Sequence, residues 1–431
     1  MQSIIIVGAS LAGLSVARAL RASQFTGELT VVGAEESRPY DRPPLTKDYL
    51  RGSCSTADLA LETDEDLGAH WLLGAPAAGL DAAERRVTLA DGRTVSADGV
   101  VLATGADAVP HPLLPIGVNV HTLRTLADAE RLRDDLGPGR RLVIVGAGFI
   151  GTEIAASAVA LGAEVTLLSQ DAVPLRRALG EPIGDFLAAE HRAHGVRVIG
   201  PARIVDVDRG AGTGGGTGRD AVTALRLADG TVLPADVVVV GIGSRAATGW
   251  LEGSGLLLAT DGGVRCDATG RVLTAATADA AADTDAGVVD GVVAVGDCAA
   301  WWDEARGTHH RLEHWTGAVE RAGVVAGVLL GGSGQPTRAP YFWSDQYDLR
   351  LQVAGVVAGH DDLRVEEGSI ADRSFLARYY RAGEPVAVLG VNAPKLFTRA
   401  RRSLGSGAPG TAGSPRTTSN VVAGTGTALA S

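Results

Sequence analysis

Hydrophobic positions along this chain fall in short, almost unbroken β-branched runs, separated by small-residue turns and by Ala/Leu stretches of helical spacing. That is the pattern of parallel strands covered on both faces, as in α/β folds. The first instance is Ser3-Ile4-Ile5-Ile6-Val7, then the turn Gly8-Ala9-Ser10-Leu11-Ala12-Gly13, a helix to about Arg21, and a second apolar run, Leu29-Thr30-Val31-Val32, that leads to Glu35. The spacing predicts a βαβ unit. The device recurs in mid-chain. Arg141 to Val145 reads as a strand, Gly146-Ala147-Gly148-Phe149-Ile150-Gly151 as the turn, and Glu164 to Leu168 as the next strand.

Between and beyond these units the pattern predicts a hairpin over 79–95 with an Asp91-Gly92 turn, a buried strand over 99–106, and a helix over 123–136 closed by Gly137-Pro138-Gly139. Strands follow at 202–207, 221–227 and 232–240, then a buried strand at 291–295 and a helix from Trp315 to about Leu330. Arg38 to Lys47 is too rich in proline for a helix interior or a central strand, and reads as a fixed loop. Composition shifts after 331–339 to an aromatic segment, Tyr341 to Tyr347, with strand-like runs at 349–357, 375–380 and 386–391 and a helix over 393–404. The expected fold is α/β with two Rossmann-like domains and a C-terminal α+β domain. The domains divide as 1–115 with 246–332, then 116–245, then 333–403. Gly210–Gly218 and Ala275–Ala286 read as inserts, and 404–431 as a disordered tail rich in Gly, Ser, Thr and Ala.

At 431 residues the chain is long enough for two or three domains. A net charge of −11 argues against broad nucleic-acid contact and against a polybasic membrane anchor. No apolar run reaches the length of a membrane span and a strand begins at residue 3, so the expected setting is cytoplasmic. Cys54, Cys266 and Cys298 form neither a CxxC pair nor a metal-ligand spacing, which argues against a dithiol centre, an iron–sulfur cluster or any bound metal.

The candidate chemistry follows from the glycine turns. Gly8 and Gly13, with Ser10 in the middle position, allow a pyrophosphate to approach the backbone at a helix N-terminus. Glu35, 22 residues past Gly13, suits the ribose hydroxyls of an adenosine. Arg42 and Lys47, held among prolines, would place two cations near that anion; the alternative is a solvated loop whose charges face water. Asp297, delivered after a glycine at the end of a buried strand, suits a ribityl chain, the alternative being a capping aspartate. The second loop carries all three glycines, Gly146, Gly148 and Gly151. Its strand ends in Ser169-Gln170-Asp171 with Arg176 and Arg177 nearby, which leaves NADH and NADPH both open. Two dinucleotide sites in one chain suggest hydride transfer between a nicotinamide and a flavin, chemistry that needs stacked rings more than an acid or a base.

As a set these segments resemble the bacterial FAD-dependent ferredoxin reductases that supply electrons to cytochromes P450 and ring-hydroxylating dioxygenases. The resemblance rests on Gly8–Gly13, Pro39–Lys47, Ala103–Gly105, Gly146–Glu153, Val295–Asp297, Glu313–Trp315 and Pro340–Tyr347. It implies FAD on Gly8, Ser10, Gly13, Glu35, Arg42, Lys47, Thr104, Gly105, Asp297 and Trp315. It implies NAD(P)H on Gly146, Gly148, Ile150, Gly151, Ser169 and Gly243. Lys47 would pair with Glu153 beside the flavin ring and Trp315 would pack against it, so that these three form the redox centre. The implied acceptor is a small 2Fe–2S ferredoxin feeding an oxygenase. Arg306, His309, His310, Arg311 and the Arg399–Arg402 cluster are its candidate docking residues. A rubredoxin or monodehydroascorbate-type reductase, or a redox-sensing flavoprotein similar to apoptosis-inducing factors, shares the same pattern.

Overall fold

The computed structural model describes residues 1–62, 65–210, 220–274, 287–304, 306–334 and 339–404. The Ala275–Ala286 insert, the tail from Gly405 and all but the first residue of Gly210–Gly218 lie outside them. Among the described residues the helices are α1 (Leu11–Ala22), α2 (Leu126–Asp135), α3 (Phe149–Ala160), α4 (Arg176–Leu179), α5 (Glu181–Ala193), α6 (Trp315–Leu329) and α7 (Pro394–Ser403). None is long and apolar enough to cross a membrane.

Ser3–Val7 lies at the heart of the first sheet, paired in parallel with Glu28–Val32 and with Gly99–Leu102. Ala69–Leu72 and Val288–Ala294 extend that parallel core on either side. The second sheet is parallel throughout, in the order 197–199, 164–168, 141–145, 237–240, 120–121. The chain crosses between the two sheets twice, and the crossing strands Ala106–Ala108 and Ser244–Ala246 pair with each other antiparallel. The third sheet is antiparallel, in the order 341–346, 349–355, 384–391, 374–381, 362–369. Its two-residue period gives each face its own partner. Phe375, Ala377 and Leu389 pack on Ile183, Phe186 and Leu187 of α5, while Leu376 and Val388 pack on Phe397 and Ala400 of α7.

Several segments depart from the sequence pattern for identifiable reasons. The run over 232–240 divides into Val232–Pro234, in a small antiparallel sheet, and Val237–Val240, in the parallel one. Pro234 lacks a donor to continue the ladder, and Asp236 is held by the Arg141 guanidinium at 2.6 Å. The 79–95 hairpin is a three-stranded meander, 77–81, 86–89 and 94–96. Within the proline-rich loop, Pro43–Thr46 closes a 3-10 turn. Helix α5 escapes a sequence reading because it contains Pro182 and Gly184; the proline is tolerated in the first turn, where its missing N–H is not needed.

The two glycine loops are built alike. Gly8 (φ +129°) and Gly146 (φ +112°) pass so close to the neighbouring strand end that an added Cβ would lie 2.0 Å from the Ala103 carbonyl oxygen and 2.2 Å from that of Gly241. Gly13 and Gly151 let the helix settle on the loop, since a Cβ there would meet the carbonyl oxygens of Gly8 and Gly146 at 1.9 and 2.0 Å. Gly8→Ala should therefore cost about 3 kcal/mol or more, or abolish folding, whereas Gly230→Ala, with positive φ but open space around it, should cost about 1 kcal/mol. Denaturant unfolding of the two variants checks this, and equal losses would contradict the close-approach argument.

Burial also makes stability depend on pH. His191 on α5 and His314 before α6 are each pushed down to about 4, mainly because burial disfavours their charged forms. The unfolded chain binds protons at these sites near pH 6.5 while the folded chain does not, so their neutral form stabilises the fold above pH 6.5 and that contribution is lost as pH falls toward 4. The melting temperature should drop across this window. His191→Gln should remove part of the slope, about 1–3 kcal/mol between the ends; a slope unchanged by that variant would contradict the account.

Candidate active site

Helices α1 and α3 open directly from the glycine loops, and neither has a side-chain cap nor an acidic residue in its first turn. Helix α2 differs, with a complete capping box between Thr125 and Asp128. The amides at the first two N-termini are thus left for an anion, and the glycine loops give it room. At Gly148 an added Cβ would meet nothing within 4 Å, so the middle position of the loop faces open space. This accounts for Ser10 at the equivalent place in the first loop. Its hydroxyl accepts from Arg42 Nε at 3.3 Å and makes no cap on α1.

Around the first loop the expected residues gather into one network. Arg42 holds Glu35 Oε1 at 2.6 Å and Tyr40 donates to Glu35 Oε2 at 2.5 Å, so the carboxylate is fixed from both sides. Arg42 also donates to the Arg124 carbonyl. Arg124 in turn holds the Asp297 carboxylate at 2.7 Å, and the Asp297 carbonyl accepts from Arg311 at 2.8 Å. Arg124 stands over Gly105, where a Cβ would come within 3.4 Å of its guanidinium. The sequence reading missed Arg124, whose only signal is its place just before the Thr125 cap. Thr104 turns the other way, donating to the Ala247 carbonyl at 2.8 Å and tying the site to the second crossing.

At the second loop Ile150 and Ile242 are exposed apolar side chains beside Gly148 and Gly243, and Gly243 (φ +125°) has open space above it. Ser169 does not face that space. It is buried, and its hydroxyl donates to the Val173 carbonyl at 3.3 Å. What the strand end presents instead is Asp171, paired with the largely exposed Arg177 at 3.0 Å.

Lys47 and Glu153 come together between the loops, and Trp315 is linked to Lys47 through Asp41. Lys47 Nζ lies 2.6 Å from Glu153 Oε2, and both side chains are about nine-tenths buried. Thr46 donates to the same oxygen at 2.5 Å, and Ser344 of the third sheet to Oε1 at 2.7 Å. Glu153 lies on α3 two residues past Gly151, so one helix runs from the second glycine loop to the lysine. The Trp315 indole donates to Asp41 at 2.8 Å. Burial holds the Asp41 carboxyl above its ordinary range against the opposing pull of that bond and of Lys47. Trp315 remains partly exposed and meets Trp343 edge-on, ring centroids 6.2 Å apart. Tyr341 stacks on Trp343, and Arg401 stands 4.5 Å over Tyr341. His314, next to Trp315, keeps a buried Nδ1 without a hydrogen-bond partner among the described residues.

The expected docking cations do not all face solvent. Arg311 is buried by Asp261, Glu313 and the Asp297 carbonyl, so it belongs to the interior of the site. Arg306 is similarly covered and faces Asp303. Arg399 and Arg402 are exposed, Arg399 beside Glu367.

A family model, pyridine nucleotide-disulphide oxidoreductase, matches residues 2–322, and a second, reductase C-terminal, matches 341–416. The chain is 33% identical to putidaredoxin reductase of Pseudomonas putida over 93% of its length and 91% of the relative's. It is 36% identical to the ferredoxin–NAD(+) reductase component of the p-cumate 2,3-dioxygenase system of the same species, over 93% of each chain. Among solved structures, a covalent putidaredoxin reductase–putidaredoxin complex superposes with a TM-score of 0.84 at 32% identity, covering 94% of this chain and 93% of that one. With both loops, the pair between them and the matched C-terminal sheet, the chain belongs to the pyridine nucleotide-disulphide oxidoreductase family, whose members use FAD and NAD(P)H.

Proposed function

We propose that this chain is an FAD-dependent reductase that takes a hydride from NAD(P)H and delivers electrons singly to a small 2Fe–2S ferredoxin serving an oxygenase. The observation that carries the reading is the run of α3 from one dinucleotide loop to a buried lysine beside the other. FAD supplies the chemistry that converts a two-electron donor into one-electron deliveries.

The chain's own residues bind, orient and shield. Gly8, Ser10 and Gly13 offer the α1 amides to the FAD pyrophosphate, and Glu35, already rigid between Arg42 and Tyr40, accepts from the adenosine ribose. Asp297 takes the ribityl chain, with Arg124 and Gly105 lining the same side. Lys47 presents a cation to the flavin ring and so favours its reduced, anionic form. Trp315, at the start of α6, would pack against the ring. Gly146, Gly148 and Gly151 hold the nicotinamide dinucleotide, with Ile150 and Gly243 at the mouth. Ser169 contributes backbone only, because its hydroxyl is turned inward. Asp171 supports NADH, since a carboxylate accepts from a ribose hydroxyl and repels a 2′-phosphate. The free cysteines, two of them buried, are in keeping with a cytoplasmic setting.

The relatives, a putidaredoxin reductase and the ferredoxin–NAD(+) reductase component of a dioxygenase system, support the same acceptor. The surface supports it as well. Arg401 stands over Tyr341, next to Trp343 and Trp315, and the same helix carries the exposed Arg399 and Arg402, which gives an acidic ferredoxin a local basic rim on an otherwise acidic protein. NADH-dependent cytochrome c reduction should therefore rise and saturate with added 2Fe–2S ferredoxin. Arg399→Glu with Arg402→Glu should raise the KM for ferredoxin about threefold to tenfold and leave ferricyanide reduction unchanged. Equal loss of both activities would refute docking on this rim. Arg401 is left in place because it packs on Tyr341.

A further inference from the structure

Beyond Lys47 and Glu153 the buried polar groups continue, and the mechanism above uses none of them. Ser344, whose hydroxyl meets Glu153, accepts from Gln346 Nε2 at 3.2 Å. Gln346 Oε1 faces His191 Nε2 at 3.2 Å, and His191 Nδ1 faces the Tyr347 hydroxyl at 2.8 Å. Ser344, Gln346 and His191 are at most 1% exposed. Tyr347 sits at φ +56° and is stacked on His194, ring centroids 3.7 Å apart.

The direction of these bonds follows from the carboxylate. Glu153 Oε1 accepts only, so Ser344 must donate to it, and the Ser344 lone pairs then require the Gln346 amide N–H. That turns Gln346 Oε1 to His191 and makes Nε2 the protonated ring nitrogen, leaving Nδ1 to accept from Tyr347. The reverse amide orientation would give Ser344 to Gln346 and leave Oε1 without its donor. Every bond in the chain is therefore polarised toward Glu153.

We propose that Ser344, Gln346 and His191 are positioning residues for Lys47. By supplying Oε1 with a polarised donor, they limit how strongly Glu153 draws the ammonium away from the flavin. The proposal rests on the reading that Lys47 faces the flavin. Four parts of the chain contribute: the Pro43–Lys47 turn, helices α3 and α5, and the first strand of the third sheet. A C-terminal domain docked through this strand thus acts on the redox centre as well as covering it. With the Ser344 hydroxyl gone, the carboxylate charge falls more heavily on Lys47 and Thr46, and the reduced flavin loses part of its cation.

The test is the flavin midpoint potential of the FAD-loaded protein, measured by slow anaerobic reduction against a reference dye. Ser344→Ala should shift the potential to a more negative value, Gln346→Leu should shift it less in the same direction, and Ser344→Thr, which keeps the hydroxyl, should remain near the wild type. Lys47→Met serves as the reference and should give the largest negative shift. A Ser344→Ala potential equal to wild type, with Lys47→Met shifted, overturns the proposal while leaving the site reading intact. No shift in Lys47→Met overturns the site reading itself. Should Ser344→Ala fail to hold FAD, Ser344→Cys, a weaker donor of similar shape, is measured for the same two outcomes.

Discussion

The buried pair of Lys47 and Glu153 is the constraint on which the rest of the structure depends. Removing two charges from water costs several kcal/mol per ion, and their attraction offsets that cost only where the remaining lone pairs are also satisfied. Here Thr46 and Ser344 supply those bonds, from the proline-rich turn and from the third sheet. The pair therefore forms only when three distant parts of the chain are in register, and the fold must keep them so. The apolar packing follows the same lines. Tyr40, Leu45 and Tyr49 of the turn share a core with Ile144 and Ile154 of the second sheet and α3, and α5 packs on the third sheet.

Much of this was legible in the sequence, for reasons that are local. A strand that ends in glycine and turns into a helix leaves a pattern in consecutive residues, so both dinucleotide loops and their parallel strands could be read directly. The Lys47–Glu153 contact spans 106 residues and no spacing announces it; the resemblance supplied it. Arg124 was invisible because an arginine before a capped helix is ordinary until Asp297 is brought to it. Ser169 misleads in the opposite way, being a polar residue at the expected strand end whose hydroxyl turns into the core. Arg311, in a run of apparent surface cations, is held inside by Asp261, Glu313 and the Asp297 backbone. Such outcomes depend on which neighbours arrive from elsewhere in the chain.

The proposed task has two halves, hydride arrival and electron departure. In the proposed reading hydride would enter from the α3 side, where open space lies over Gly148 and Gly243 beside the exposed Ile150 and Ile242. Electrons would leave where Trp315, Trp343 and Tyr341 carry an aromatic surface to Arg401 of α7.

The most direct test of the central claim is anaerobic rapid mixing of the FAD-loaded protein with NADH and, separately, with NADPH, following the loss of the visible flavin band. The account predicts fast bleaching, with NADH the better donor. Bleaching by neither nucleotide on a catalytic timescale would contradict the reductase assignment and favour a flavoprotein that senses redox state.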